Sequence, residues 1–454
     1  MLITEMNNIS TLVLLASGAC NLRCSYCHIH KNKSLIGIDK EIRDAWADGT
    51  YLKTIQEVFS RLGIDSSKIR KLELWGGETT LHLDVINPQI KELLKIVPNL
   101  NSIGFSSNFM TKTDGTKNFL VEVNKYVKPG ARIWLQQSID GPDGILTEQG
   151  HYGNWETYTK NYKELSEFLN TTRLDNLKNI DICMKPTLDR ELYIDYFSNE
   201  DNLYNYIVYL NEKYNFLRNS FVNDKVRILM TNPRVAIPML FTTEEAQKFA
   251  RICESWYTLC DRFISKSTQP INPEFRKALF NTVPQYNNNG NLMRDMAAGC
   301  GKNVTELAFM PDGTITDCYT NYMQGREDYE AQCNDEDKIT SRIYKNLNYN
   351  PLKCSDEEAV EQLWLNTICL KNAKSLKTTL GAGIVKELAL SGQVPHKFLD
   401  RDLRLRGSRF SQCQSDCIVQ NVITTRVPLL LNAGAYRLHL NGLFDLVEKD
   451  LKDR

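Results

Sequence analysis

The stretch "TLVLLASGACNLRCSYC", residues 11–27, runs from an apolar, β-rich segment straight into three cysteines. Cys20, Cys24 and Cys27 stand in the spacing C-x3-C-x2-C. A structural zinc site closes with four ligands, and His28 and His30 follow at once and would supply the fourth. A 4Fe–4S cluster is usually held by four thiolates. Three thiolates on four irons leave one iron open to an external ligand, so the spacing favours a cluster over zinc while leaving both in view.

Working outward, strand-like runs recur at 11–16, 70–75, 101–106, 132–139, 178–184 and 225–231. Amphipathic helical patterns lie between them near 40–62, 84–97, 116–127, 155–170 and 192–215. Strands alternating with helices imply βαβ units and a parallel sheet. Six repeats suit either a doubly wound sheet or a partial barrel, and both collect ligands at the C-terminal strand ends. The residues following the strands are the chemical ones: the cysteines, then "WGGETT" (75–80), "SSNFM" (106–110) and "QSIDGPDG" (137–144).

Composition narrows the class. The chain has 454 residues, 55 Lys+Arg against 55 Asp+Glu, and so a formal net charge of zero. Net charge therefore gives no argument for nucleic acid. The N-terminus, "MLITEMNNIS", lacks the basic and apolar regions of a signal peptide. The longest apolar runs, about nine or ten residues, are half of the roughly 20 needed to span a bilayer. A cytoplasmic location with no membrane partner is the default expectation. In a reducing compartment 13 cysteines are not a disulfide framework. Clustered ones read as metal ligands, and isolated ones such as Cys183, Cys253 and Cys260 as small buried hydrophobes.

Beyond about 232 the rhythm changes to a Pro-containing connector, a helix at 243–264 and a loop-rich stretch at 265–298. "GCGKNVTELAFMPDGTITDCY" (299–319) reads as a β-hairpin turning at Pro-Asp-Gly. Beyond 355 the chain reads as helical to about 390, with a mixed tail. The arginines at 401, 404, 406 and 409 read as a solvated face.

The order of these motifs resembles that of the radical S-adenosylmethionine (radical SAM) superfamily. The carrying residues are Cys20, Cys24 and Cys27 with Tyr26 before the last, "GGET" (76–79), "SSN" (106–108) and "SIDGP" (138–142). Thr79 stands where the family usually has proline. The resemblance implies a partial (β/α)6 TIM-like barrel, an α/β fold, over about 1–235. It implies a 4Fe–4S cluster on the three cysteines, chelated at its open iron by S-adenosylmethionine. Tyr26, Gly76, Gly77, Glu78, Asn108, Ser138 and Asp140 would line the cofactor, with Gly76 and Gly77 allowing close backbone approach and Glu78 facing a cationic amine. Lys185, past the fifth strand, is a further candidate for the methionyl carboxylate. Reductive cleavage of the sulfonium would give a 5′-deoxyadenosyl radical that abstracts hydrogen from an unactivated C–H bond, with a flavodoxin- or ferredoxin-type electron donor.

Cys300, Gly313 and Cys318 stand as C-x12-G-x4-C around the hairpin, similar to the opening of SPASM and twitch extensions. The resemblance implies an α+β auxiliary-cluster domain at about 236–454. The full SPASM cysteine run is missing. One auxiliary 4Fe–4S cluster on Cys300, Cys318, Cys413 and Cys417 is expected, with Cys369 as a possible substitute. The expected function is radical modification of a peptide or protein side chain. Leader binding would need a separate partner or another surface, because no recognition domain precedes the first strand. Alternatives are a radical SAM dehydrogenase or epimerase acting on a small molecule or nucleotide, and a non-catalytic zinc protein.

Overall fold

The structure, a computed structural model, describes residues 9–24, 27, 36–141, 154–189, 195–231, 234–236, 243–268, 270–280, 306–316 and 350–354. In chain order these form β1 (Thr11–Ser17), α1 (Asp39–Ala47), α2 (Thr50–Leu62), β2 (Lys71–Gly76), α3 (Leu83–Ile86), α4 (Ile90–Ile96), β3 (Ser102–Ser107), α5 (Asp114–Tyr126) and β4 (Ala131–Ser138). Then follow α6 (Trp155–Thr171), β5 (Leu177–Lys185), β6 (Thr187–Asp189), α7 (Glu200–Asn219), β7 (Val226–Met230), β8 (Arg234–Ala236), α8 (Thr243–Lys266), α9 (Pro273–Phe280), β9 (Glu306–Phe309) and β10 (Ile315–Thr316).

Eight strands make one sheet in the order β10-β9-β1-β2-β3-β4-β5-β7. All neighbours are parallel except β9 and β10. From β1 to β7 the order never reverses, whereas a doubly wound sheet reverses at its switch point. Right-handed crossovers in one direction place every crossover helix on one face. The molecule is therefore mixed α/β with seven parallel strands, in the manner of a partial TIM-like barrel.

The register divides the sheet cleanly. Leu12, Leu72, Ile103, Ile133 and Ile180 share one level, and Leu14, Leu74, Phe105, Leu135 and Ile182 share another. All ten are essentially fully buried. This is the helix-covered face: Phe105 meets Phe119 of α5 edge-on at 5.1 Å, and Tyr158 of α6 donates to Gln137. The alternate positions carry the polar residues. Glu73, Gly104, Trp134, Asp181 and Arg227 form one level, with Ser106, Gln136, Cys183 and Leu229 above. Asp181 takes Arg227 through two bonds of 2.7 Å, and Gln136 donates to Ser106 at 2.7 Å. Burial of the apolar levels drives the fold.

The expected helix over 40–62 is two helices. At "DGT" (48–50) Asp48 accepts from the Thr50 amide at 2.8 Å and its hydroxyl at 2.7 Å. Gly49 takes φ +75°, a conformation open to glycine. The expected 84–97 helix likewise divides into α3 and α4, and a helix, α9, occupies part of the stretch read as loop-rich. The small β6–β8 sheet had no expectation.

The hairpin read from "ELAFMPDGTIT" forms, with Gly313 N–H bonding Met310 O at 3.0 Å and Met310 N–H bonding Thr314 O at 2.9 Å. Its first strand does not stand apart from the N-terminal sheet: β9 pairs in parallel with β1. Where β9 ends, the buried Tyr51 hydroxyl accepts from Leu15 N–H at 2.9 Å and donates to Phe309 O at 2.5 Å, continuing the ladder through a side chain. Among the described residues, no helix is long and apolar enough to cross a membrane.

Candidate functional site

The site is assembled where β1, β2 and β3 end side by side. Ser17 of β1 is in register with Gly76 of β2, and Ser107 of β3 is in register with Gln137 of β4. The chain leaves β1 through Gly18 and Ala19 into Cys20. Asp39, the first residue of α1, receives this turn: its Oδ1 accepts from Gly18 N–H at 2.8 Å, Ala19 N–H at 2.9 Å and the Ser17 hydroxyl at 3.2 Å. Burial would raise the Asp39 carboxyl, but bonds from His82 and from the Ala19 and Gly18 amides outweigh it and hold the group at about 2.

"GGET" docks on the same turn. Gly77 N–H bonds Ser17 O at 2.9 Å, and Glu78 N–H bonds Ala19 O at 2.8 Å. A Cβ at Gly76 would lie 2.0 Å from Ser17 O, and one at Gly77 2.1 Å from Ala19 O. What these glycines approach is the backbone of the cysteine loop itself, so that the two strand ends close on each other.

Glu78 is 1% exposed, and burial, opposed by its hydrogen bonds, raises its carboxyl above the usual range. Oε2 accepts from Asn108 N–H at 2.7 Å. Oε1 accepts from the Thr80 hydroxyl at 2.5 Å and the Thr80 amide at 3.2 Å, and Ser107 adds a side-chain bond. A carboxylate offers about four acceptor positions, so donors from the protein occupy them. The carboxylate acts in this geometry as a tie between the ends of β2 and β3.

Asn108 is delivered by an unusual turn. Phe109 has φ +63°, the left-handed region that non-glycine residues rarely occupy. Asn161 of α6 holds that turn by donating to the carbonyls of Phe109 and Thr111, both at 2.8 Å. Asn108 Oδ1 accepts from Met110 N–H at 2.9 Å. Its Nδ2 is thereby aimed at Asn21 Oδ1, at 2.8 Å, and at Cys20 Sγ, at 3.6 Å.

Cys20 thus receives two N–H donors, from Asn108 and from the Leu22 amide at 3.4 Å. Burial pushes its thiol up to about 12; the Leu22 amide opposes this, and the nearby Glu78 and Cys27 add to it. N–H donors on sulfur are the surroundings a ligating thiolate needs. The bound metal would displace the proton that burial otherwise retains. Cys24 and Cys27 are joined by a 3.0 Å bond from Cys27 N–H to Cys24 O. Among the described residues, no three His, Cys, Asp or Glu side chains converge as on a single ion.

Ser138 ends β4 in register with Lys185 at the end of β5. Asp140 is 3% exposed; its Oδ1 accepts from Thr187 N–H at 2.9 Å, and its carbonyl accepts from the Tyr206 hydroxyl at 2.8 Å. These residues lie at the same end of the sheet as Cys20. Cys260 is the buried thiol expected. Cys183 is a departure: it sits partly exposed on the polar face beside Gln136 and Leu229. Tyr26, His28, His30, Cys300, Cys318, Cys369, Cys413, Cys417 and the arginines at 401–409 lie outside the described residues. The described hairpin turns back so that Thr316 pairs with Ala308, at the level of Val13. Its open end therefore faces away from the cysteine loop.

Sequence reasoning missed Asp39, His82, Thr80 and Asn161. Asp39, His82 and Asn161 are ordinary polar residues whose partners lie 20 to 66 positions away, with no local signal to mark them, whereas Thr80 stands in the quoted "WGGETT", two positions from Glu78.

No family model matches the chain, and no curated protein sequence matches it. Among solved structures, Streptococcus suis SuiB bound to precursor peptide SuiA is similar at 15% identity and a TM-score of 0.40, over 70% of this chain and 61% of that one. SuiB bound to S-adenosylmethionine is similar at 15% identity and a TM-score of 0.38, over 69% and 61%. The matched region thus spans about six-tenths of those proteins. The functional reading rests on this chain's own residues, whose motifs, in their order and at their strand ends, resemble those of the radical SAM superfamily.

Proposed function

We propose that this chain is a radical SAM enzyme acting on a peptide or protein side chain. The observation that supports it is the meeting of three separate strand ends on one thiol: the cysteine loop after β1, Glu78 after β2 and Asn108 after β3 close around Cys20. Cys20, Cys24 and Cys27 would hold a 4Fe–4S cluster, leaving one iron for S-adenosylmethionine. The cluster and S-adenosylmethionine, when bound, supply a 5′-deoxyadenosyl radical able to take hydrogen from a C–H bond.

The chain's own part is to orient and to enclose. Leu22 and Asn108 direct N–H groups at the Cys20 sulfur, while Asp39 and Glu78 fix the turn that carries it. Because the Glu78 carboxylate is engaged within the protein, its contribution to cofactor binding is to hold the backbone edge at Gly76–Glu78 in place. Tyr26, Ser138, Asp140 and Lys185 are the further cofactor contacts in this reading. The polar face with Ser106, Gln136 and Cys183, beneath the same strand ends, is where a substrate side chain would enter.

The Cys300–Gly313–Cys318 motif, similar to the opening of SPASM and twitch extensions, supports the peptide class, although a single twitch-like cluster suits a small-molecule substrate equally well. In this reading residues 236–454 carry one auxiliary 4Fe–4S cluster on Cys300, Cys318, Cys413 and Cys417, and a flavodoxin- or ferredoxin-type protein supplies the electron in the cytoplasm. Anaerobic reconstitution tests the proposal. A variant lacking both Cys300 and Cys318 should retain about four irons and four sulfides, which are lost when Cys20, Cys24 and Cys27 are together replaced by Ala. Adding S-adenosylmethionine should change the reduced cluster's EPR spectrum. Stoichiometric zinc in place of iron would sink the proposal. Iron unchanged by Cys300→Ala with Cys318→Ala would remove the auxiliary site alone.

A further inference from the structure

The turn from β1 into the cysteines is held from a side the cluster motifs do not include. His82, 4% exposed, lies in the short helical turn Thr79–His82. Its Nδ1 is 2.9 Å from Ala16 O and its Nε2 is 3.3 Å from Asp39 Oδ2. The ring thus bridges a carbonyl of β1 and the carboxylate that opens α1. The other Asp39 oxygen takes the successive Gly18 and Ala19 amides, an anion-binding arrangement of backbone.

The topology gives the pair its significance. Asp39 is the first residue of α1, and hence the point where the chain returns from the loop that Gly18 begins. A single carboxylate bonds the loop's exit to its entrance, and the His82 ring links that carboxylate to Ala16 near the end of β1. Closing a loop of about 20 residues carries an entropic cost that the cysteines would otherwise meet on ligation. Charge-assisted bonds of this kind are also stronger than neutral ones.

We infer that Asp39 and His82 are positioning residues which clamp the cysteine loop shut at its root and so place Cys20 before any cluster is bound. The inference rests on the cluster reading for its purpose, but its geometry can be probed without metal. The apo chain is treated with iodoacetamide and alkylation is followed residue by residue by mass spectrometry, with the buried core thiol Cys260 as the internal reference. Losing a charge-assisted bond should raise the open population, and with it Cys20 alkylation, by about tenfold or more in Asp39→Asn and His82→Phe. Cys260 alkylation should not change.

The same variants are then reconstituted. They should take up less iron than wild type and show an altered EPR line shape after reduction, with Asp39→Glu returning both part-way. Equal Cys20 alkylation in wild type and variants overturns the clamp. So does a rise at Cys20 matched by Cys260, which would mean general destabilisation. Undiminished iron uptake in the variants overturns its role toward the cluster. A wild-type chain that takes up no iron overturns the cluster reading itself, a result distinguishable because the alkylation contrast would persist.

Discussion

Asn108 Nδ2 lies 3.6 Å from Cys20 Sγ across 88 residues of sequence. The amide is not free to turn away, because its oxygen is engaged by Met110 N–H. An N–H···S bond favours the more negative, reduced form of a cluster. Asn108→Leu should therefore make the cluster's midpoint potential more negative by about 40 mV, the one-electron equivalent of about 1 kcal/mol. Potentiometric EPR titration measures this, and an unshifted potential would show that the bond does not reach the cluster.

Glu78 gives a stability prediction. Its carboxylate faces donors only, from Thr80, Ser107 and Asn108. Glu78→Gln turns an NH2 group toward at least one of them in a site closed to water. Unfolding free energy should fall by about 2–3 kcal/mol, as measured by urea denaturation of the apo chain. A loss below about 0.5 kcal/mol, the range of an ordinary surface substitution, would contradict the proposed tie between β2 and β3.

Asp39 sets an acid-limb prediction. Its folded value, about 2, lies below its ordinary 3.8. The linked stability is present above the ordinary value and is lost as pH falls through the folded one. The stability difference between wild type and Asp39→Asn should thus be level near neutrality and shrink between about pH 4 and pH 2. Partial exposure of the side chain limits the linked contribution to about 1–2 kcal/mol. A difference that stays constant down to pH 2 would mean the carboxylate is not held as described.

Tyr51 is the stitch between β1 and the hairpin. Tyr51→Phe removes the group that satisfies both Leu15 N–H and Phe309 O. The expected cost is about 1–3 kcal/mol, with amide exchange accelerating at Leu307–Phe309 more than in β3 or β4. Exchange at Leu307–Phe309 no faster than in β3 or β4 would mean that Tyr51 does not hold β9 locally.

The strands were legible because each is a short apolar run bounded by turn residues, and the structure places them within one or two residues of where the sequence does. In one place where the sequence misled, a single residue with special geometry was responsible: Gly49, at φ +75°, divides an otherwise continuous amphipathic pattern. The motif order points to particular strand ends, but not to what their side chains touch. Gly76, Gly77 and Glu78 read as groups facing a ligand, yet their contacts in the structure are to Ser17, Ala19, Thr80 and Asn108. Asp39 and His82 were invisible for a physical reason: their contact is a property of two distant positions brought together, and neither residue alone departs from the pattern of an ordinary helix end. Cys183 shows the converse, since strand alternation assigns it to a face but does not say that the face is polar.

The central claim is that Cys20, Cys24 and Cys27 together hold a cluster with an iron left for S-adenosylmethionine. Its most direct test is to reduce the anaerobically reconstituted chain with dithionite in the presence of S-adenosylmethionine and to quantify 5′-deoxyadenosine by chromatography and mass spectrometry. The account predicts time-dependent 5′-deoxyadenosine from the wild-type chain and none above background from the variant with all three cysteines replaced by Ala. Equal background amounts from both, with iron bound in the wild type, would contradict it.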